Sequence, residues 1–112
     1  MRILFLDDNP ARAAAFRTKY PDLVWVKTCA ECIEQLQGSI WDMVCLDYDL
    51  ADGQNAVPVY AWIGHHKPTI GPIVIHSTNL AAGTEHAERL RALGEIVFYV
   101  PFTFAPGGPF NL

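Results

Sequence analysis

Two groups of carboxylates stand where short apolar runs end. Asp7 and Asp8 stop the run Arg2-Ile3-Leu4-Phe5-Leu6, and Asp47, followed by Asp49 and Asp52, stops Asp42-Met43-Val44-Cys45-Leu46. Like charges brought together repel, so such acids coexist only with a cation or with bound protons. One or two carboxylates, completed by water and a substrate phosphate, are the donor set that Mg²⁺ takes, and Mn²⁺ accepts similar oxygens. Asp7, Asp8, Asp47 and Asp49 are therefore the candidate metal ligands, while Asp8 and Asp52 read equally well as turn or capping residues. A third apolar run ends in His76-Ser77-Thr78-Asn79. His76 is the best single candidate for acid–base work, although a lone strand histidine is more often a core residue. Ser77 lacks the spacing of a nucleophile elbow, so a hydrogen bond to a phosphate oxygen suits it better. Asn79 is as plausibly a turn residue as a ligand contact. Arg12 is spaced to reach back and hold a phosphate with both arms of its fork, with a solvated helix arginine as the alternative.

These residues need a frame that brings them to one place. Arg2–Leu6, Leu23–Val26, Asp42–Leu46, Pro72–His76 and Ile96–Val100 are short and nearly all apolar, the pattern of strands buried on both faces. Helices are expected between them: Ala11–Tyr20, with Asn9 as cap and Pro10 at the first position; Cys29–Gln37, with Thr28 and Glu31 in capping-box spacing; about Asn55–His66; and Thr84–Leu93 after a loop from Ser77 to Gly83. The alternation predicts an α/β fold with a doubly wound, five-stranded parallel sheet. In the flavodoxin-like order 2-1-3-4-5 the first and third strands are neighbours at the switch point, and ligands bind beyond their carboxyl ends. Five of the 12 acids would then meet on one rim. One domain over residues 1–103 is expected, with an irregular tail over 104–112 and no terminal helix. A sheet edge left partly uncovered there would suit a homodimer.

The chain has 112 residues, and about half are apolar. That length supports a single core without disulfides or structural metal. A net charge of −4 argues against a broad nucleic-acid surface but not against a small phosphate-bearing ligand. No apolar stretch is long enough for a membrane helix and the amino terminus lacks a signal-peptide pattern, so a cytoplasmic protein without membrane contact is expected. Three cysteines fit a reducing compartment, and Cys29 and Cys32 lack the context of a redox or zinc site. Trp25, Trp41 and Trp62 are read as packing, and His65-His66 as surface or structural.

The Asp7-Asp8 pair, Asp47, Ser77 and Phe98-Tyr99-Val100-Pro101-Phe102 resemble a response-regulator receiver domain. That resemblance implies that the acid pair binds Mg²⁺, that Asp47 accepts a phosphoryl group and that Ser77 hydrogen-bonds it. Val100 stands where such domains carry a lysine for the phosphoryl oxygens. A narrower likeness covers Leu6-Asp7-Asp8 with Arg12, Leu46-Asp47-Tyr48-Asp49-Leu50 and His76-Ser77-Thr78-Asn79. These resemble the LDD, LDHDL and HSxN pattern of a receiver-derived family with a predicted role in opening or hydrolysing cyclic phosphates. The ordered set is far more specific than any piece of it. Tyr48 replaces the family's histidine. Strand alternation suggests Tyr48 and His76 on one side, with Asp47, Asp49 and Ser77 on the other.

Two functions follow from the likeness. The first is a metal-dependent phosphoesterase acting on a cyclic nucleotide or an RNA 3′ end, with RNA repair as its setting. Asp7, Asp8 and Asp47 would hold Mg²⁺ or Mn²⁺, His76 would protonate the leaving oxygen with Tyr48 beside it, and Ser77, Asn79 and Arg12 would hold the phosphate. The second is a non-catalytic receiver module that binds a protein partner or nucleotide, which Tyr48 and Val100 favour. Acyl-phosphate signalling at Asp47 is disfavoured by Val100.

Overall fold

The structure, a computed structural model, describes residues 1–77 and 79–101. Five strands and four helices alternate: β1 (Ile3–Leu6), α1 (Pro10–Lys19), β2 (Val24–Val26), α2 (Cys29–Gly38), β3 (Met43–Asp47), α3 (Val57–His66), β4 (Ile73–Ser77), α4 (Leu80–Ala92) and β5 (Val97–Pro101). All strand pairs are parallel and the order is β2-β1-β3-β4-β5, as the alternation of elements predicts. The expected tail over 104–112, the domain limit at residue 103, Phe102, Thr78 and the missing terminal helix all lie outside the described residues.

The sheet divides two apolar layers. Leu4, Leu6, Val44, Leu46, Ile73 and Ile75 point toward α2, α3 and α4, where Cys32, Leu36, Val59, Ile63, Ala87 and Leu90 pack on them. Ile3, Phe5, Cys45 and Val74 point the other way, toward Ala13 and Phe16 of α1. Alternation along each strand sorts the layers, and the register Phe5↔Cys45↔Val74↔Phe98 keeps them aligned across the sheet. Phe98 lies on the α1 side and is 44% exposed. No helix among the described residues is long and apolar enough to cross a membrane.

Caps decide where the helices begin. Asn9 Oδ1 accepts from the N–H groups of Ala11 and Arg12, starting α1 at Pro10. Thr28 and Glu31 form the expected capping box on α2. The loop expected over Ser77–Gly83 is a misreading, because α4 begins at Leu80. Asn79 Oδ1 accepts from Ala82 N–H and opens the helix one turn early. Gly83 fits inside it because a side chain there would run into the ring of Tyr99. α3 starts at Val57 rather than Asn55, since Asn55 forms an isolated bridge with Asp49.

Candidate functional site

Asp7 follows the last residue of β1 and Asp47 is the last residue of β3, the adjacent strand. Asp7 has the parity of Ile3 and Phe5, and Asp47 that of Cys45, so both side chains turn to the α1 face. Oxygens of Asp7, Asp8 and Asp47 lie within 4.8 Å of one another. Asp49 is exposed and stands outside this group, contrary to its expected place among the ligands. The reason is local: β3 stops at Asp47, and the chain turns away into the Asp49–Asn55 bridge.

Arg12 sits among the three carboxylates. Its Nε donates to Asp7 Oδ2 at 2.9 Å, and its Nη2 donates to Asp7 Oδ1 at 3.0 Å and to Asp47 Oδ2 at 3.2 Å. The same Nη2 lies 3.6 Å from Asp8 Oδ1. Asp7 Oδ1 also accepts from Asn9 N–H at 2.8 Å. The fork expected to hold a phosphate is therefore turned inward on the acids, which supply the negative charge a phosphate would otherwise bring. The start of α1 forces this: Asn9 caps the helix, and Arg12 lies in the first turn, directly above Asp7.

His76 completes the cluster from below. Its Nε2 lies 3.2 Å from Asp7 Oδ2. Since a carboxylate only accepts, Nε2 carries the proton. The ring stacks on Phe5 with centroids 5.1 Å apart and meets Phe16 edge-on at 6.4 Å. It is fully buried. Asp7 thus stands between His76 and Arg12, and the imidazole expected to do acid–base work is enclosed by Asp7, Phe5 and Phe16.

The charges respond to this arrangement. Burial pushes Asp7 up, but hydrogen bonds from His76 and Arg12 outweigh it and hold the carboxyl below its ordinary value. Asp47 is pushed up to about 8, first by burial and then by the negative charge of Asp7, against the pull of Arg12. Burial holds His76 below its ordinary value and disfavours the charged ring, although Asp7 works in the opposite sense. Burial works against the Arg12 charge as well, yet Asp7 and the other acids raise its pKa on balance.

The other face of the rim carries a group of aromatics. Tyr48 stacks on His86 of α4, with centroids 5.5 Å apart, and Tyr60 of α3 lies 5.0 Å from the same ring. This overturns the expected pairing of Tyr48 with His76. The register sets Asp47, not Tyr48, opposite His76, so His76 shares the face of the acids and Tyr48 points away. His86 and Tyr60 escaped the reading of the sequence. His86 stands alone in a helix, and its only signal is helical spacing from Gly83 and Leu90. Ser77, expected beside Asp47, follows His76 and takes the opposite parity. Its hydroxyl accepts from Asn79 N–H at 2.9 Å, and its carbonyl accepts from Tyr99 at 3.0 Å. Asn79, the other expected phosphate contact, has its side-chain oxygen committed to the cap of α4.

Trp25 donates to the Asp7 carbonyl at 2.8 Å, and Trp41 donates to the Gln35 carbonyl at 3.0 Å. Cys29 and Cys32 are free thiols, and burial raises both, Cys32 to about 12. A thiol so raised is a poor nucleophile.

The donor chemistry of the cluster fits a hard divalent cation. All three acids offer carboxylate oxygens, Asp8 is 30% exposed on its side chain and opens the group to solvent, and a cationic guanidinium already stands at their meeting point.

Residues 2–92 match the family model of the cyclic-phosphate processing receiver domain. The fold is similar to that of the phosphorylated cyanobacterial phytochrome response regulator RcpA, with 19% identity, 95% of this chain and 83% of that one covered, and a TM-score of 0.75. It is similar also to the signal receiver domain of a putative LuxO repressor protein from Vibrio parahaemolyticus, at 17% identity over 94% of this chain and 80% of that one, TM-score 0.73. The non-phosphorylated HemR receiver domain from Leptospira biflexa has 22% identity over 93% and 83%, with a TM-score of 0.69. At these identities the likeness speaks for the fold alone. No curated protein matches the sequence.

Proposed function

Because the chain belongs to the cyclic-phosphate processing receiver family, we propose that its carboxyl-end rim binds and hydrolyses a cyclic phosphate ester, such as a 2′,3′-cyclic nucleotide or RNA end. The observation that carries this reading is the convergence of Asp7, Asp8 and Asp47 on the guanidinium of Arg12, a cation-bearing rim with solvent access at Asp8. Asp7, Asp8 and Asp47 would hold Mg²⁺ or Mn²⁺, which supplies Lewis-acid polarisation of a phosphoryl oxygen. Arg12 presents a planar fork that matches phosphate oxygens two at a time. His76 acts through Asp7: its N–H fixes the carboxylate's orientation, which makes it a positioning residue. Ser77 takes the parity opposite to Asp47 and its hydroxyl accepts from Asn79 N–H, so it supports the start of α4 rather than the phosphate. In hydrolysis, water forms a bond to phosphorus, one ring P–O bond breaks, and the proton that the water gives up ends on the released sugar oxygen.

A second reading is a binding module without turnover. Its support is the fully buried His76, whose Nε2 is turned onto Asp7, and the stacking of Tyr48 on His86 away from the acids. Incubation with 2′,3′-cyclic nucleotides and cyclic-phosphate RNA ends in Mg²⁺ or Mn²⁺, with chromatography of the monoesters formed, separates the two. Turnover abolished by chelation and by Asp47→Asn supports hydrolysis. Binding without monoester supports the module, and neither binding nor turnover overturns both.

A further inference from the structure

We infer that Arg12 is the resident cation of the acidic rim and that a divalent ion binds by exchange with it, releasing the guanidinium toward an anionic ligand. The inference rests on the reading that the rim holds a divalent ion and a phosphate, and it concerns how the two are coupled.

Asp7 accepts from Asn9 N–H, from Nε and Nη2 of Arg12 and from His76, so both of its oxygens are saturated by donors. Two of those donors, the Asn9 backbone and the buried His76, are fixed by the helix cap and by the Phe5–Phe16 pocket. Only Arg12 can leave: its side chain is 20% exposed and spans the cluster from the solvent side. A metal–oxygen bond is shorter than any of the Arg12 contacts, and Nη2 already stands near one oxygen from each of the three acids. The guanidinium and the ion therefore compete for the same lone pairs and the same negative charge. Without either cation, the carboxylates of Asp7 and Asp8 would face Asp47 with no positive charge between them, at a site only Asp8 opens to solvent.

The exchange has a consequence for ligand order. While Arg12 holds Asp7 and Asp47, its fork is spent on carboxylates. Once an ion takes them, the fork is available to a phosphate at the solvent side of Asp8. Cation and phosphate then bind with positive coupling, and linkage requires that each strengthen the other equally.

Calorimetric titration of the full chain with MgCl₂ alone tests the exchange, on wild type, Arg12→Gln and Arg12→Lys. Removal of a unit positive charge about 3–4 Å from the ligand oxygens should tighten Mg²⁺ binding by about tenfold or more in Arg12→Gln. Arg12→Lys, which keeps the charge but loses the fork, should fall between, and it serves if Arg12→Gln does not fold. In wild type the ¹⁵N–¹H resonance of Arg12 Nε should move toward that of a solvated arginine as Mg²⁺ saturates. Binding only by the variants overturns the exchange, because the ion then cannot displace Arg12 in the wild-type rim. Equal or weaker affinity in the variants, no binding by any of the three, or an Nε–H signal unmoved at saturation overturns the exchange. Turnover is not part of the readout. A protein that shows the exchange but cleaves no cyclic phosphate refutes the hydrolytic function alone, and one that cleaves with unchanged variant affinities refutes the exchange alone.

Discussion

Replacing Asp47 by asparagine should flatten the alkaline limb of the stability profile in metal-free buffer. Asp47 is 5% exposed and its carboxyl is displaced from 3.8 to about 8, chiefly by burial and by Asp7. A group whose folded pKa is raised stabilises the fold below its unfolded value, and that contribution is lost as pH climbs through the folded one. At about 1.4 kcal/mol per pH unit above the unfolded value, the proton that the folded Asp47 retains costs the fold at most ~4 kcal/mol by pH 7. Solvent reaching the cluster past Asp8 lowers the realised figure to roughly 2 kcal/mol. The side-chain amide introduced by Asp47→Asn keeps an acceptor for Arg12 Nη2 and carries no charge. Thermal unfolding from pH 4 to 9 in EDTA should therefore show wild type declining above pH 5 while Asp47→Asn stays level. The gap should be about 8 °C at pH 7, taking about 4 °C per kcal/mol for a domain of this size. The acid limb should persist in both proteins. Asp7 and His76 have lowered pKa values, so their contributions are present above the unfolded values and lost as pH falls. Parallel decline of the two proteins above pH 5 would refute the assignment of Asp47 as the strained member of the cluster.

Other perturbations have distinct signatures. His76→Ala leaves Asp7 without a buried donor and opens a cavity beside Phe5, which should cost about 3 kcal/mol in denaturant unfolding, with His76→Gln recovering part of it through its N–H. Asn79→Ala should cost about 1 kcal/mol by removing the cap of α4, with amide exchange quickening at Ala82 and not in α1. Tyr48→Phe should leave Mg²⁺ affinity within about twofold of wild type, because its ring stacks on His86 on the opposite face; a larger change by calorimetry would place Tyr48 in the ion's surroundings.

The legible part of the fold was the part written in local pattern. Apolar runs such as Ile3–Leu6 and Ile73–Ile75 mark strands buried on both sides, and Asn9-Pro10 and Thr28 with Glu31 mark helix starts. The start of α4 was hidden because Gly83 and the small residues beside it look like a loop; its helical state depends on Asn79 and on the room that Tyr99 leaves. At the site, Asp7, Asp8 and Asp47 were readable as acids ending neighbouring strands, and Asp49 was grouped with them because nothing in the spacing shows that β3 has already ended.

What the sequence determined by itself was the set of strands, their parallel arrangement and the presence of acids at one end of the sheet, because each follows from periodicity and chain connectivity. Tertiary structure decided which side chains meet there. His76 joins Asp7, and Tyr48 joins His86, only because β3 and β4 pair with Asp47 opposite His76. A shift of one residue would exchange the two faces, and register is a relation between distant segments that no local pattern contains. The inward turn of Arg12 is of the same kind: a guanidinium in a first helical turn has no preferred direction until the fold places three carboxylates beneath it.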